Sequence, residues 1–304
     1  MNISWLSVGH IILALIAAPL LPGFINRTKA RMAGRRGQPL LQAYVDLFKL
    51  FRKGAVYSRT TSWVFRAGPI VNLAVVVSGL LLIPFAGSPA VLAFDGDLIL
   101  LAYALGLARF FTVLAALDTG SSFEGMGASR EVTFAVLVEP ATLVGLLALS
   151  RLSHSISLSG LLYASGVTGW SIGAPALVAA AFFVLYLAEN ARIPVDDPAT
   201  HLELTMIHEV MVLDHSGPDL GFVQYAGALK LWVLGALFVG VVTPDLREGG
   251  LWLCEGFALG TMLLLSIAVG LVESSMARLR LLKVPQLLVG AGALSMLAAI
   301  LVLG

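Results

Sequence analysis

The chain is short of charge. Of its 304 residues, 12% are Asp, Glu, Lys or Arg, and 58% are hydrophobic. Soluble domains carry about 25% charged residues, so a water-soluble globule is excluded. The mean hydropathy of +0.92 points instead to a polytopic membrane protein. Cysteine is almost absent. Cys254 alone makes no internal disulfide, no Cys-rich zinc site and no iron–sulfur cluster. The net charge of +1 leaves no electrostatic footprint for nucleic acid. There is no low-complexity tract or long linker. No nucleophile elbow, phosphate loop or metal motif occurs, and Gly120, Gly125 and Gly127 do not form a dinucleotide fingerprint. The first apolar run lacks a preceding basic residue and a small-residue cleavage pattern, so it is expected to be a retained span.

What is present is length in apolar runs. A helix needs about 20 apolar residues to cross a bilayer, and lipid leaves no other way to satisfy the backbone. Eight stretches qualify: Trp5–Ile25, Pro69–Gly87, Leu98–Leu117, Val132–Ser150, Ile172–Ala188, Val223–Val242, Leu251–Val272 and Pro285–Leu303. The expected fold is therefore all-α, a single membrane domain over residues 1–304 with about eight transmembrane helices.

The basic residues are distributed unevenly. The loop at 26–66 holds ten: Arg27, Lys29, Arg31, Arg35, Arg36, Lys49, Arg52, Lys53, Arg59 and Arg66. Odd-numbered loops total fifteen, with Arg130, Arg192, Arg278, Arg280 and Lys283, whereas even-numbered loops hold Arg151 and Arg247. Basic loops stay in the cytoplasm, so both termini are expected outside. Within the first loop, Pro39 suits the first position of a helix. Leu40, Leu41, Tyr44, Val45, Leu47, Phe48 and Phe51 give it an apolar face, opposite Gln42, Asp46, Lys49 and Lys53. That division predicts an amphipathic helix lying in the membrane plane.

Charge also collects at 191–222, a cytoplasmic loop with Asp196, Asp197, Glu203, Glu209, Asp214 and Asp219. Within the spans, Arg109, Glu139 and Lys230 are ionisable, and Glu189 and Glu273 close two of them. Ionisable groups at such depth cost at least about 2–3 kcal/mol each and mark a pathway or a buried pair. One reading is a set of ion pairs that only fixes helix packing. The other is a proton path through Glu139, Glu189 and the loop carboxylates, since a buried carboxyl is a usable proton carrier. His201, His208 and His215 recur every seven residues. On one helix they would stand about 10 Å apart, too far to share a metal ion but suited to titration near neutrality.

Several stretches form an ordered set. They are Arg35-Arg36-Gly37 with Gln42, Tyr44, Asp46 and Lys49, then Ala108-Arg109-Phe110-Phe111 and Leu117-Asp118-Thr119-Gly120-Ser121. Gly127-Ala128-Ser129-Arg130-Glu131, Val138-Glu139-Pro140 and the run from Glu273 through Met276-Ala277-Arg278-Leu279-Arg280 follow in order. Together they resemble the membrane-arm subunit 1 family of respiratory complex I and membrane-bound nickel–iron hydrogenases, in the formate hydrogenlyase and hydrogenase-4 branch. The fifth loop fits in part. Glu189, Arg192, Pro194, Asp196, Pro198, Glu203 and Ser216-Gly217 match, while Ala199 and His201 stand where the quinone-reducing branch is acidic, and Asp214-His215 replaces a usual Glu-Tyr pair.

The resemblance implies a non-catalytic subunit of a prokaryotic cytoplasmic-membrane complex. It would link electron transfer in a peripheral arm to ion translocation. Its implied partners are a hydrogenase-like large subunit, an iron–sulfur subunit and antiporter-like membrane subunits. Iron–sulfur clusters and a nickel–iron centre would belong to those partners, with none in this chain. The implied proton path takes in Glu139, Glu189, Asp196, Glu203, Glu209, Asp214, Arg109, Lys230, Glu131, Asp118 and Glu273. The implied partner interface takes in Arg35, Arg36, Gln42, Tyr44, Asp46, Arg130 and Arg192. A quinone-reactive subunit of the same family, or a stand-alone secondary ion transporter, is the alternative.

Overall fold

The computed structural model describes residues 5–164, 173–197, 206–243 and 250–303. Their regular structure is helical, with no strand among them and only an isolated bridge between Phe85 and Ser88. The helices are α1 (Trp5–Ala17), α2 (Leu20–Met32), α3 (Gln42–Phe51), α4 (Trp63–Leu82), α5 (Asp97–Asp118) and α6 (Ser122–Ser153). Then come α7 (Leu158–Ala164), α8 (Gly173–Glu189), α9 (His208–Met211), α10 (Gly217–Val242), α11 (Leu251–Ser275) and α12 (Val284–Leu303).

Six of these, α4, α5, α6, α10, α11 and α12, are long and apolar enough to cross a membrane. The expected first span differs from a single rod. It is α1 and α2, bent by 47°. Pro19 lacks the N–H that would bond the Leu15 carbonyl, and Pro22 likewise fails Ala18. The Tyr225 hydroxyl donates to the Leu15 carbonyl at 2.8 Å, and the Tyr44 hydroxyl donates to that of Ile16. The break is thus closed by side chains from α10 and α3. Counted as one span, the pair is a seventh crossing. At the position of the expected fifth span, α8 is an apolar helix of 17 residues and reaches roughly 25 Å.

Boundaries moved where capping decides them. α4 starts six residues before Pro69, because the Ser62 side chain accepts from the Val64 N–H and Asp118 accepts from the Ser62 and Phe65 N–H groups. α6 runs 32 residues, so the glycine-bearing stretch expected as loop is helix from Ser122. A helix forms at the expected amphipathic stretch, α3. It begins at Gln42 rather than Pro39, whose carbonyl closes a preceding turn with the Gln42 N–H.

α10 is the axis of the bundle, packed against α4, α8, α3 and α11, with Trp232 fully buried. Gly221 gives it close approach to the Phe51 ring of α3. α12 packs on α6 and α8, and α11 on α2.

Candidate functional site: a charged network beside a cavity

Arg109 sits about 18 Å along α5 from Asp97, at the middle of a helix of 22 residues. Its guanidinium collects three carboxylates. Nε donates to Glu131 at 3.1 Å, Nη1 donates to Glu139, and Nη2 donates to Glu189. Glu131 and Glu139 lie eight residues apart on α6, roughly two turns, and both reach one planar fork. Lys230 of α10 completes the set. Its ammonium lies 2.8 Å from Glu189 Oε2 and donates to the Glu189 carbonyl at 2.7 Å. Four helices thus contribute to one network of two cations and three carboxylates. One carboxylate is in excess, and a single proton would balance it.

The network has two outlets. On one side, a cavity of about 420 Å³ is walled by Pro22, Gln42 and Gln224, from α2, α3 and α10, and reaches Arg109, Glu189 and Lys230. On the other side Glu139 does not line the cavity, and its side chain is 49% exposed on the lateral surface of α6. A void of about 20 Å³ lies among Arg109, Glu131, Glu189 and Asp196. It has room for one water with polar partners on its rim.

The fifth loop is anchored by ion pairs around that network. Asp196, 1% exposed, accepts from the N–H groups of Asp197, Ile207 and His208 and pairs with Arg278 at 3.0 Å. It staples both ends of the loop. Glu273 takes Lys29 at 2.9 Å and Arg192 at 3.4 Å, tying α2, α11 and the loop start.

The expected site residues therefore divide. Arg109, Glu131, Glu139, Glu189 and Lys230 are brought together. Glu209 and Arg192 stand on the cavity wall. Asp196 and Glu273 make separate clusters, and Asp118 caps α4 instead of joining the network. Asp214 is exposed, its N–H donating to Glu124. Glu203 and His201 lie outside the described residues. His208 and His215 do not share a helix, because α9 ends at Met211. Of the expected contact residues, Arg35 and Arg36 are exposed. Gln42 donates to Asp46 at 2.8 Å, and Tyr44, Arg130 and Arg192 are engaged within the chain, Arg130 through the Met206 carbonyl. Asn72 and Gln224 of the cavity wall escaped sequence reasoning. A lone amide within an apolar window was the only signal.

Comparison with known proteins bears on the family and the fold. The family model described as NADH dehydrogenase matches residues 6–304. The chain is 35% identical to formate hydrogenlyase subunit 4 of Escherichia coli over 274 residues, covering 87% of each. It is 31% identical to hydrogenase-4 component C of the same organism, over 91% of this chain and 88% of that one. It is 29% identical to an NADH-quinone oxidoreductase subunit of Rubrobacter xylanophilus, over 70% of this chain and 65% of that one. Among solved structures, a chain of the membrane-bound sulfane sulfur reductase, an archaeal respiratory membrane complex, shares the fold. Its TM-score is 0.84 at 21% identity, over 97% of this chain and 98% of that one. A family match over nearly the whole length, a relative above 30% identity and a helical membrane fold lead to one statement: the chain is a multi-pass membrane protein that belongs to the NADH dehydrogenase family.

Proposed function

We propose that this chain is the membrane-anchoring and proton-coupling subunit of a complex I-like, hydrogenase-type respiratory complex. One observation carries the coupling role. Arg109 is bonded at once to Glu189, on the wall of the cavity, and to Glu139, on the lateral surface. The carboxylate in excess is the proton seat. A proton arriving through the cavity exchanges at Glu189 and moves to Glu139 by a change of partner at Arg109. An antiporter-like neighbour then receives it from Glu139 at bilayer depth.

The exposed Arg35 and Arg36 seat the peripheral arm on the cytoplasmic side, with both termini outside. Iron–sulfur clusters and a nickel–iron centre belong to the partner subunits. Cys254 is buried within α11 and offers one thiol where a cluster needs several. The cavity favours a second reading, a quinone-reactive subunit, because it offers apolar walls and a polar inner end.

The test uses the whole complex in sealed vesicles. Glu139→Gln keeps the hydrogen bond from Arg109 and removes the titratable group. Electron transfer is expected to persist while coupled proton movement is lost. Undiminished pumping would overturn the coupling role. Assays for hydrogen evolution and quinone reduction on the purified complex separate the two readings.

A further inference from the structure

A second polar cluster lies between the first and fifth loops, away from Arg109. His215, 6% exposed, is stacked on Phe65 with ring centroids 4.0 Å apart. Among the described residues, its Nδ1 has no hydrogen-bond partner, and neither have Asp219 Oδ2 and Glu124 Oε2. Around them the two loops are knit closely. Ser216 Oγ accepts from the Val56 N–H at 3.0 Å and donates to the Val56 carbonyl at 3.3 Å. Gly217, at φ +54°, lies where an added Cβ would stand 2.6 Å from the Gly54 carbonyl. The charged and titratable groups facing His215 come from every neighbouring element. They are Asp214 beside it and Asp219 on α10; behind them Tyr57 of the first loop meets Phe65 and Asp219, and Arg66 of α4 lies over the Tyr57 ring. Glu124 of α6 holds the Asp214 N–H.

We propose that His215 is a positioning residue, the proton-sensitive pin of a clasp that fastens the fifth loop to the first and opens when His215 takes up a proton. Neutral imidazole suits the seat on Phe65. An imidazolium there loses its hydration, and only the Asp214 and Asp219 charges favour it. Release lets the ring and the three orphaned atoms reach water. The clasp leads directly to the amides that Asp196 holds, those of Ile207 and His208. A loosened clasp therefore exposes the cytoplasmic wall of the network. This consequence for coupling rests on the proposed function, whereas the clasp itself rests on the geometry.

Burial lowers the His215 pKa below its ordinary value, and Asp219 and Asp214 raise it in part. For a base depressed in the closed state, the open state binds more protons. Closure is full above about pH 6.5 and weakens as pH falls toward the closed-state value.

The experiment is hydrogen–deuterium exchange of the whole complex in nanodiscs from about pH 8 to pH 5.5, corrected for intrinsic rates. Peptides covering residues 206–217 are expected to exchange up to about tenfold faster per pH unit below about 6.5. His215→Tyr keeps a ring on Phe65 without titrating in this range and should abolish the step. A flat wild-type profile overturns the proposal, as does a step that survives in His215→Tyr. Both readouts are independent of proton pumping, so a failed coupling role and a failed clasp are told apart.

Discussion

At the residue scale, the charges of this chain divide into those that hold shape and those free to change partner. Asp196 belongs to the first kind. Its two oxygens serve three N–H groups and Arg278, and its side chain is 2% exposed. Asp196→Ala removes the acceptor of three amides and an ion-pair partner of Arg278, so it is expected to lower stability by about 3–5 kcal/mol. Asp196→Asn keeps one acceptor and should lose about half as much. Thermal unfolding in detergent measures both, and a null effect would mean that the loop is held elsewhere. Glu139 is of the second kind. Its side chain is half exposed, and it has one partner, itself shared with two other carboxylates.

At the element scale, the broken first span shows how a membrane helix tolerates proline. Pro19 releases the Leu15 carbonyl into an apolar setting, where water is not at hand to satisfy it. The Tyr225 hydroxyl of the central helix takes that place, the Tyr44 hydroxyl of α3 donates to the neighbouring Ile16 carbonyl, and the Leu21 N–H takes the Ala18 carbonyl that Pro22 leaves. Tyr225→Phe should therefore cost about 1–2 kcal/mol while keeping the ring contacts. An unchanged melting temperature would show that the Leu15 carbonyl finds another donor. The same break shapes the cavity, because Pro22 and Gly23 face Gln42 and Ala43 across it.

At the scale of the whole molecule, the asymmetry of Lys and Arg fixes the expected orientation, with Arg35 inside and both termini outside. The single thiol makes this testable. Cys254 is buried, so a background without added cysteines should label weakly. Arg35→Cys should react with an impermeant maleimide only from the cytoplasmic side. Ile156→Cys, at a residue 54% exposed between α6 and α7, should react only from the outside. The reverse pattern would invert the membrane orientation and move the acidic loop away from the peripheral arm.

Much of the fold is legible in the sequence because it follows from local quantities. Apolar windows of span length locate α4, α5, α10, α11 and α12 within about six residues, and α6 except for its first ten, since the bilayer sets their length. The amphipathic face of α3 is a local pattern too. The break at Pro19 was hidden inside an apolar window that read as one span.

The residue types of the site were also visible, as charges where charge is costly. Their pairing was not. Arg109 meets partners 22, 30 and 80 positions away on two other helices. That meeting depends on how each helix is rotated about its axis and how far it is shifted along its neighbours. Apolar windows say nothing of either, because lipid-facing and buried positions are both hydrophobic. The sequence by itself determined that this is a helical membrane protein with an acidic loop and ionisable groups at depth. Only the tertiary structure decided which of those groups form one network, which staple loops, and that Glu139 opens sideways.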